Sequence, residues 1–239
     1  MMRSSTASIL SPINDFFFSV ECFHCGEPLR DDESRLCAAC WMSLTPVQPE
    51  DFTYQVMIKR FREDGVIDEF IPLYYFEKGK VLQSLAHSLK YEEITSFGRE
   101  LGEKIGKCLK EKNITADAVV PIPLNKRKKR ERGYNQSDFI AKGVSSVAGI
   151  PVLRKAVKRV KYTVTQTHLN ADERKENVSD AFTIDSQYRD KIKGKSVIVV
   201  DDIVTTGSTI QEVGRVLKES GASIVIAASA GLAKLGEDI

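Results

Sequence analysis

The stretch Val199-Val200-Asp201-Asp202-Ile203-Val204-Thr205-Thr206-Gly207-Ser208-Thr209 decides the fold. It continues Ser196-Val197-Ile198 and runs into a helical pattern from Ile210 to Leu217, which stops near Gly221. A short apolar, β-branched run of this kind reads as a strand buried on both faces. Gly207 lets the backbone turn tightly and approach an anion closely. The amides of residues 205 to 209 fall at a helix N-terminus, where unpaired N–H groups and the helix dipole favour a phosphate. The hydroxyls of Thr205, Thr206, Ser208 and Thr209 add uncharged donors. Two adjacent carboxylates at a strand end, Asp201 and Asp202, suit the vicinal hydroxyls of a ribose or the waters of a bound Mg²⁺. The plainer reading is a helix cap beside solvated aspartates. Capping needs one such residue, whereas five hydroxyl or glycine positions follow the two acids here. No G-x-x-x-x-G-K-[ST] loop is present.

Outward from this stretch, strand-like and helix-like runs alternate. Ile71 to Phe76 predicts a strand, and Leu82, Leu85, Ala86 and Leu89 stand at helical spacing. Phe97, Leu101, Ile105 and Leu109 recur every four residues, as in an amphipathic helix. Ala118 to Pro123 reads as a buried strand, Asp138 to Ala148 as a helix and Ser223 to Ala228 as a strand. Buried strands alternating with helices predict an α/β fold with a mostly parallel sheet and helices on both faces. Ligands of such sheets bind at the carboxyl ends of the strands.

At 239 residues, the chain has room for one medium domain plus a small appendage. A net charge of +2 gives no bulk argument for nucleic acid. No apolar run approaches the roughly 20 residues needed to span a bilayer. Phe16-Phe17-Phe18 is too short for the apolar region of a signal peptide, so the expectation is a cytoplasmic protein without membrane insertion.

Four of the five cysteines form two pairs, Cys22-Phe23-His24-Cys25 and Cys37-Ala38-Ala39-Cys40. Four thiolates in two knuckles are the ligand set of a structural zinc site, in a zinc-ribbon-like module whose folding the metal would drive. A disulfide or redox pair is the alternative, and His24 could replace one thiolate. Cys108 reads as a small core residue. The domain expectation is a zinc module and linker over 1–50, a connecting helical segment over 51–70, and the α/β domain over 71–239. Thr45 to Asp51, with two prolines, reads as the linker.

Lys126-Arg127-Lys128-Lys129-Arg130-Glu131-Arg132 carries six cations directly after the strand ending at Pro123. Three readings compete: a solvated loop, a nucleic-acid patch, or a holder of pyrophosphate at the mouth of the site. Arg130 and Arg132 lead the third, because arginine binds phosphate oxygens in a bidentate way. Asn135 stands where the next helix needs a cap. Tyr162 to Leu169, continuing to Arg174 and Asn177, reads as either a mobile lid or a plain surface loop.

Val199 to Ile210 resembles the phosphoribosyl-pyrophosphate motif of type I phosphoribosyltransferases. The resemblance implies that Asp201 and Asp202 bind ribose hydroxyls and that residues 205 to 209 cradle the 5-phosphate. The paired cysteines, Leu89-Lys90-Tyr91, Pro121-Ile122-Pro123, Arg132-Gly133-Tyr134-Asn135-Gln136, and Gln166 with Leu169, Arg174 and Asn177 extend it. In that order they resemble the ComF family, phosphoribosyltransferase-like proteins linked to competence for DNA uptake. The likeness covers nearly the whole chain. It implies Lys90 on the pyrophosphate side, where the bare residue could equally be an exposed helix end, and a lid carrying Gln166 and Arg174. Three functions stay open: a Mg²⁺-dependent transferase moving ribose 5-phosphate from phosphoribosyl pyrophosphate, or a related sugar phosphate, to an unknown acceptor; a protein binding single-stranded DNA or uptake machinery; and a regulator sensing phosphoribosyl pyrophosphate.

Overall fold

A computed structural model of the chain describes residues 21–91, 95–160 and 181–236. The chain divides into two compact units, residues 1–44 and 45–239. In the first unit, Cys22 and Cys25 are followed by a tight turn at Gly26, whose N–H donates to the Cys22 carbonyl. Cys37 caps the short helix α1 (Ala38–Met42). Glu33 braces the segment between the two knuckles, since its carboxylate accepts from the backbone N–H groups of Arg30 and Ala38. Those two donors hold its carboxyl below the usual glutamate range.

The second unit begins with helix α2 (Phe52–Asp64), strand β1 (Glu69–Phe76), and helices α3 (Val81–Tyr91) and α4 (Thr95–Glu111). Strand β2 (Ala118–Pro121), helices α5 (Lys126–Arg132) and α6 (Gln136–Ala148), and the short strands β3 (Val157–Arg159) and β4 (Phe182–Ile184) follow. A single turn, α7 (Arg189–Ile192), leads to β5 (Ser196–Val204), α8 (Ser208–Glu219) and β6 (Ile224–Ala233). The main sheet runs β1-β6-β5-β2 with every pair parallel, and β3 and β4 form a separate antiparallel pair. This is the type I phosphoribosyltransferase arrangement expected above, a parallel sheet flanked by helices.

Strand β5 sits between two neighbours, and Val197 to Val200 are all 0% exposed. Val197 and Val199 pack with Met57, Ile58 and Phe61 of α2 and Ile210, Val213 and Leu217 of α8. Ile198 and Val200 are equally buried but lie outside that cluster, on the face that α6 covers. Alternate residues therefore feed two cores, which is why the run is apolar throughout.

Three sequence expectations are corrected here. Residues 45 to 47 are no free linker: the Tyr75 N–H donates to the Thr45 carbonyl and the Val47 N–H to the Leu73 carbonyl, stitching them along β1. Helix α2 does more than connect, because Met57, Ile58 and Phe61 are core residues. Strand β5 does not end at the aspartates but stays paired with β6 through Val204.

Helices α4 and α6 touch backbone to backbone. A Cβ at Gly102 would stand 2.0 Å from the Ile140 carbonyl oxygen, and one at Gly143 2.1 Å from that of Arg99. The helix propensity gained by replacing a mid-helix glycine, at most about 1 kcal/mol, is smaller than the cost of forcing two backbones apart. Gly102→Ala is therefore expected to lower unfolding stability by about 2 kcal/mol in denaturant melts; a neutral or stabilised variant would contradict this packing.

Candidate functional site

Strand β2 stops at Pro121, opposite Val200, while β6 continues beside β5. Past Val200 the strand has lost its neighbour on one side, and Asp201 and Asp202 stand at that step. They border a cleft of about 200 Å³, whose walls also include Lys90, Lys128, Arg132 and Arg159. A larger cleft of about 480 Å³ lies along β1, lined by Tyr54, Phe70, Tyr74 and Lys104 among others. It lacks the paired aspartates of the first.

The two carboxylates are held by different donors. Asp201 Oδ1 accepts from the Ser137 hydroxyl at 3.3 Å and from the Asp202 N–H at 2.9 Å. Asp202 Oδ1 accepts from the Ile203 N–H at 2.8 Å, and its Oδ2 lies 3.4 Å from Lys90 Nζ. Burial, then the neighbouring Asp202 charge, push the Asp201 carboxyl up to about 8.

The same cleft is also lined by cations. Burial first, then the charges of Arg132, Arg159 and Lys90, push the Lys128 ammonium down from the ordinary lysine range. Lys90 is placed by its neighbour, since the Tyr134 hydroxyl donates to the Leu89 carbonyl at 2.8 Å and ties the end of α3 to the turn before α6. That contact ties the Leu89-Lys90 and Gly133-Tyr134 segments together.

The segment after β5 makes its turn at Gly207, in the left-handed region at φ 78° and at the N-cap position of α8. A glycine there has no side-chain acceptor for the first-turn amides, and the Ser208 N–H makes only a long 3.5 Å contact with Thr206 Oγ1. Thr206 and Ser208 hydroxyls pair at 3.0 Å. The result is a helix N-terminus with donors to spare beside two carboxylates, suited to an anion next to a polyhydroxyl group.

Among the expected site residues, Asp201, Asp202, Thr209, Lys90 and Arg132 line the cleft, residues 205 to 207 form the turn between β5 and α8, and Ser208 opens α8. Arg130 is a correction: it is exposed and absent from the walls, while Lys128 of the same run lines them. The run is the helix α5 rather than a loop, capped by Asn125, whose side chain accepts from the Arg127 N–H. Asn135 occupies the N-cap position of α6 but does not cap it; its amide donates to the Ile122 carbonyl and to Asp138. Arg159 and Ser137 were missed. Arg159 comes from β3, a three-residue strand with no local signal, and Ser137 reads in sequence as an ordinary first-turn residue. Gln166, Leu169, Arg174 and Asn177 lie outside the described residues.

In the first unit, the sulfurs of Cys22, Cys25, Cys37 and Cys40 lie within 4.8 Å of one another, and His24 is not in the cluster. Cys22 and Cys40 sulfurs are 3.8 Å apart, and those of Cys25 and Cys37 3.7 Å. Tetrahedral Zn–S bonds of about 2.3 Å give sulfur separations of about 3.8 Å, whereas a disulfide needs about 2.05 Å. The four thiols thus fit a structural zinc site. Burial opposes ionisation of Cys22, but N–H donors of Cys25, Cys37 and His24 outweigh it and hold the thiol down at about 6. No helix among the described residues is long and apolar enough to cross a membrane.

Comparison with known proteins places this geometry. The phosphoribosyl transferase domain family matches residues 131–233, from α5 to the end of β6. Competence protein F of Haemophilus influenzae is 27% identical over 223 residues, covering 86% of this chain and 93% of that protein. Competence protein ComFC of Bacillus subtilis is 22% identical over 204 residues, 84% of this chain and 78% of its own length. The DNA utilization protein YhgH of Salmonella typhi is 32% identical over 149 residues, 60% of this chain and 64% of that protein, so under two thirds of its length is spanned. Over most of its length the chain is thus similar to competence proteins F and ComFC, which supports the ComF resemblance of its motifs, and residues 131–233 match the phosphoribosyl transferase domain family.

Proposed function

We propose that the chain binds phosphoribosyl pyrophosphate with Mg²⁺ and transfers ribose 5-phosphate to an acceptor, in a role tied to DNA uptake. The observation that carries this reading is the cleft's composition: two carboxylates, Asp201 and Asp202, share it with four cations, Lys90, Lys128, Arg132 and Arg159. In this reading the turn at 205–209 takes the 5-phosphate, and Asp201 and Asp202 accept from the ribose hydroxyls. The cations take the diphosphate, whose charge grows as the bond from ribose C1 to oxygen breaks and the electron pair leaves with it. The sugar then resembles an oxocarbenium ion, and catalysis rests on positioning and electrostatics. Paired carboxylates beside phosphate-binding groups also fit Mg²⁺, which keeps several waters and takes few protein ligands. Bound there, it would neutralise charge on the diphosphate. The competence and DNA-utilization names of the relatives support the link to DNA uptake.

A second reading is favoured by α5, which leaves Lys126, Arg127, Lys129 and Arg130 exposed beside the cleft. Those cations suit the backbone of single-stranded DNA.

Three measurements test these readings. At about 100 times its dissociation constant, Mg²⁺-phosphoribosyl pyrophosphate should add about 2.7 kcal/mol, a rise in Tm of roughly 5–10 °C. Asp202→Asn should remove most of that rise; an unshifted wild-type Tm sinks the donor-site reading. Single-stranded DNA binding should lose about 0.7 of logarithmic salt slope for each phosphate contact removed by neutralising Lys126, Lys129 and Arg130. An unchanged slope excludes α5 as the contact. Elemental analysis of the full chain should find one zinc per molecule, lost in Cys40→Ser; zinc retained by that variant would refute four-thiolate ligation.

A further inference from the structure

Helix α2 lies against the turn at 205–207 and contributes nothing to the motif itself. We infer that Arg60 is a positioning residue for the phosphate turn, aiming its backbone donors at the anion without touching the ligand. The inference rests on the reading of residues 205–209 as the 5-phosphate site.

Arg60 Nη1 donates to the Thr206 carbonyl at 2.7 Å. In a planar trans peptide the carbonyl and the following N–H point in opposite directions. Holding the Thr206 carbonyl toward α2 therefore turns the Gly207 N–H away from α2, to the loop's free side. A flipped 206–207 peptide would present an acceptor where a phosphate needs a donor. Gly207 is the residue most able to permit that flip, because its lack of a Cβ opens both halves of backbone space. The motif thus needs glycine for its turn, and glycine leaves the turn in need of an external hold.

The rest of α2 makes the hold rigid. A Cβ at Gly207 would stand 2.7 Å from Phe61 Cε1 and 3.0 Å from Met57 Sδ, so the glycine is seated directly on the helix. The Phe61 ring is 0% exposed and meets Phe70 edge-on at 5.2 Å. One turn into α8, Gln211 hydrogen-bonds Asp64. Arg60, Phe61 and Asp64 thus grip positions 206, 207 and 211 in succession. Of these contacts, only the one from Arg60 fixes a peptide plane of the turn. Its guanidinium also carries a permanent positive charge to the rear of an anion site.

A brace that merely stabilised the fold would affect every ligand alike, so two probes separate the cases. Ribose 5-phosphate engages the turn; inorganic pyrophosphate engages the cationic wall of Lys90, Lys128 and Arg132. Both are titrated calorimetrically into the full chain at fixed Mg²⁺, for wild type, Arg60→Met and Arg60→Lys. Arg60→Met should weaken ribose 5-phosphate roughly tenfold or more while leaving pyrophosphate within about twofold, and Arg60→Lys should recover part of the loss. Unchanged ribose 5-phosphate affinity in Arg60→Met overturns the inference. So does an equal loss for both probes with a collapsed Tm, which assigns Arg60 to the fold alone. Wild-type protein that binds no ribose 5-phosphate instead overturns the phosphate-site reading, and this inference falls with it.

Discussion

A strand buried on both faces can present polar groups only where its cover ends, and this constraint organises the larger unit. Strand β5 is wholly apolar from Val197 to Val200 because both faces feed cores. β2 breaks off at Pro121 while β6 continues, so the sheet has a one-sided step where Asp201 and Asp202 emerge. Pairing with β6 through Val204 holds the carboxylates in extended backbone to the edge of the turn. The acids are therefore fixed by the sheet, and the donors by the helix that follows. Few local geometries supply acceptors and donors within one short stretch with so little freedom.

The cleft's electrostatics follow from this arrangement. Desolvation and the adjacent Asp202 disfavour the Asp201 carboxylate, while burial and three neighbouring cations disfavour the Lys128 ammonium. Like charges crowd one another in the cleft, and Lys90 lies 3.4 Å from Asp202. The cleft thus offers acceptors for hydroxyl donors and cations for anionic oxygens. Helix N-termini accept many anions, and the neighbouring carboxylates add acceptors that a bare anion site lacks.

How much of this was legible in the sequence depended on whether the signal was local. The β5 run, the turn and the cysteine spacing are short-range patterns with one physical cause each, and each could be read directly. α5 was not, because a seven-residue helix of charged residues has no apolar stripe; Asn125 before it was the only cue. β3 and β4 are three residues each and separated by more than twenty, so neither gains stability or pattern until the other is present. Arg159 was hidden with them. Guanidinium chemistry favours Arg130 and Arg132 in the run, but helix phase turns Arg130 to solvent and brings Lys128 with Arg132 to the cleft. The role of α2 was invisible for a different reason. Its partners lie about 146 residues away in sequence, and nothing in Phe52–Asp64 alone names them.

The site also depends on distances that glycine sets elsewhere in the fold. Gly102 and Gly143 let α4 and α6 approach until backbone meets backbone, which fixes where α6 lies on β5 and β2. The N-terminus of α6 carries Ser137, whose hydroxyl reaches Asp201 at only 3.3 Å. Moving α6 outward by the width of a methyl group would break that contact and leave Asp201 with one fewer donor. Gly207 does the equivalent on the other face, where its missing Cβ lets the turn sit on Phe61. The two carboxylates are thus bracketed by two helix N-termini, each held in place by a glycine that allows a close approach. Packing on both faces of the sheet, and not the motif alone, determines how accurately the motif can bind.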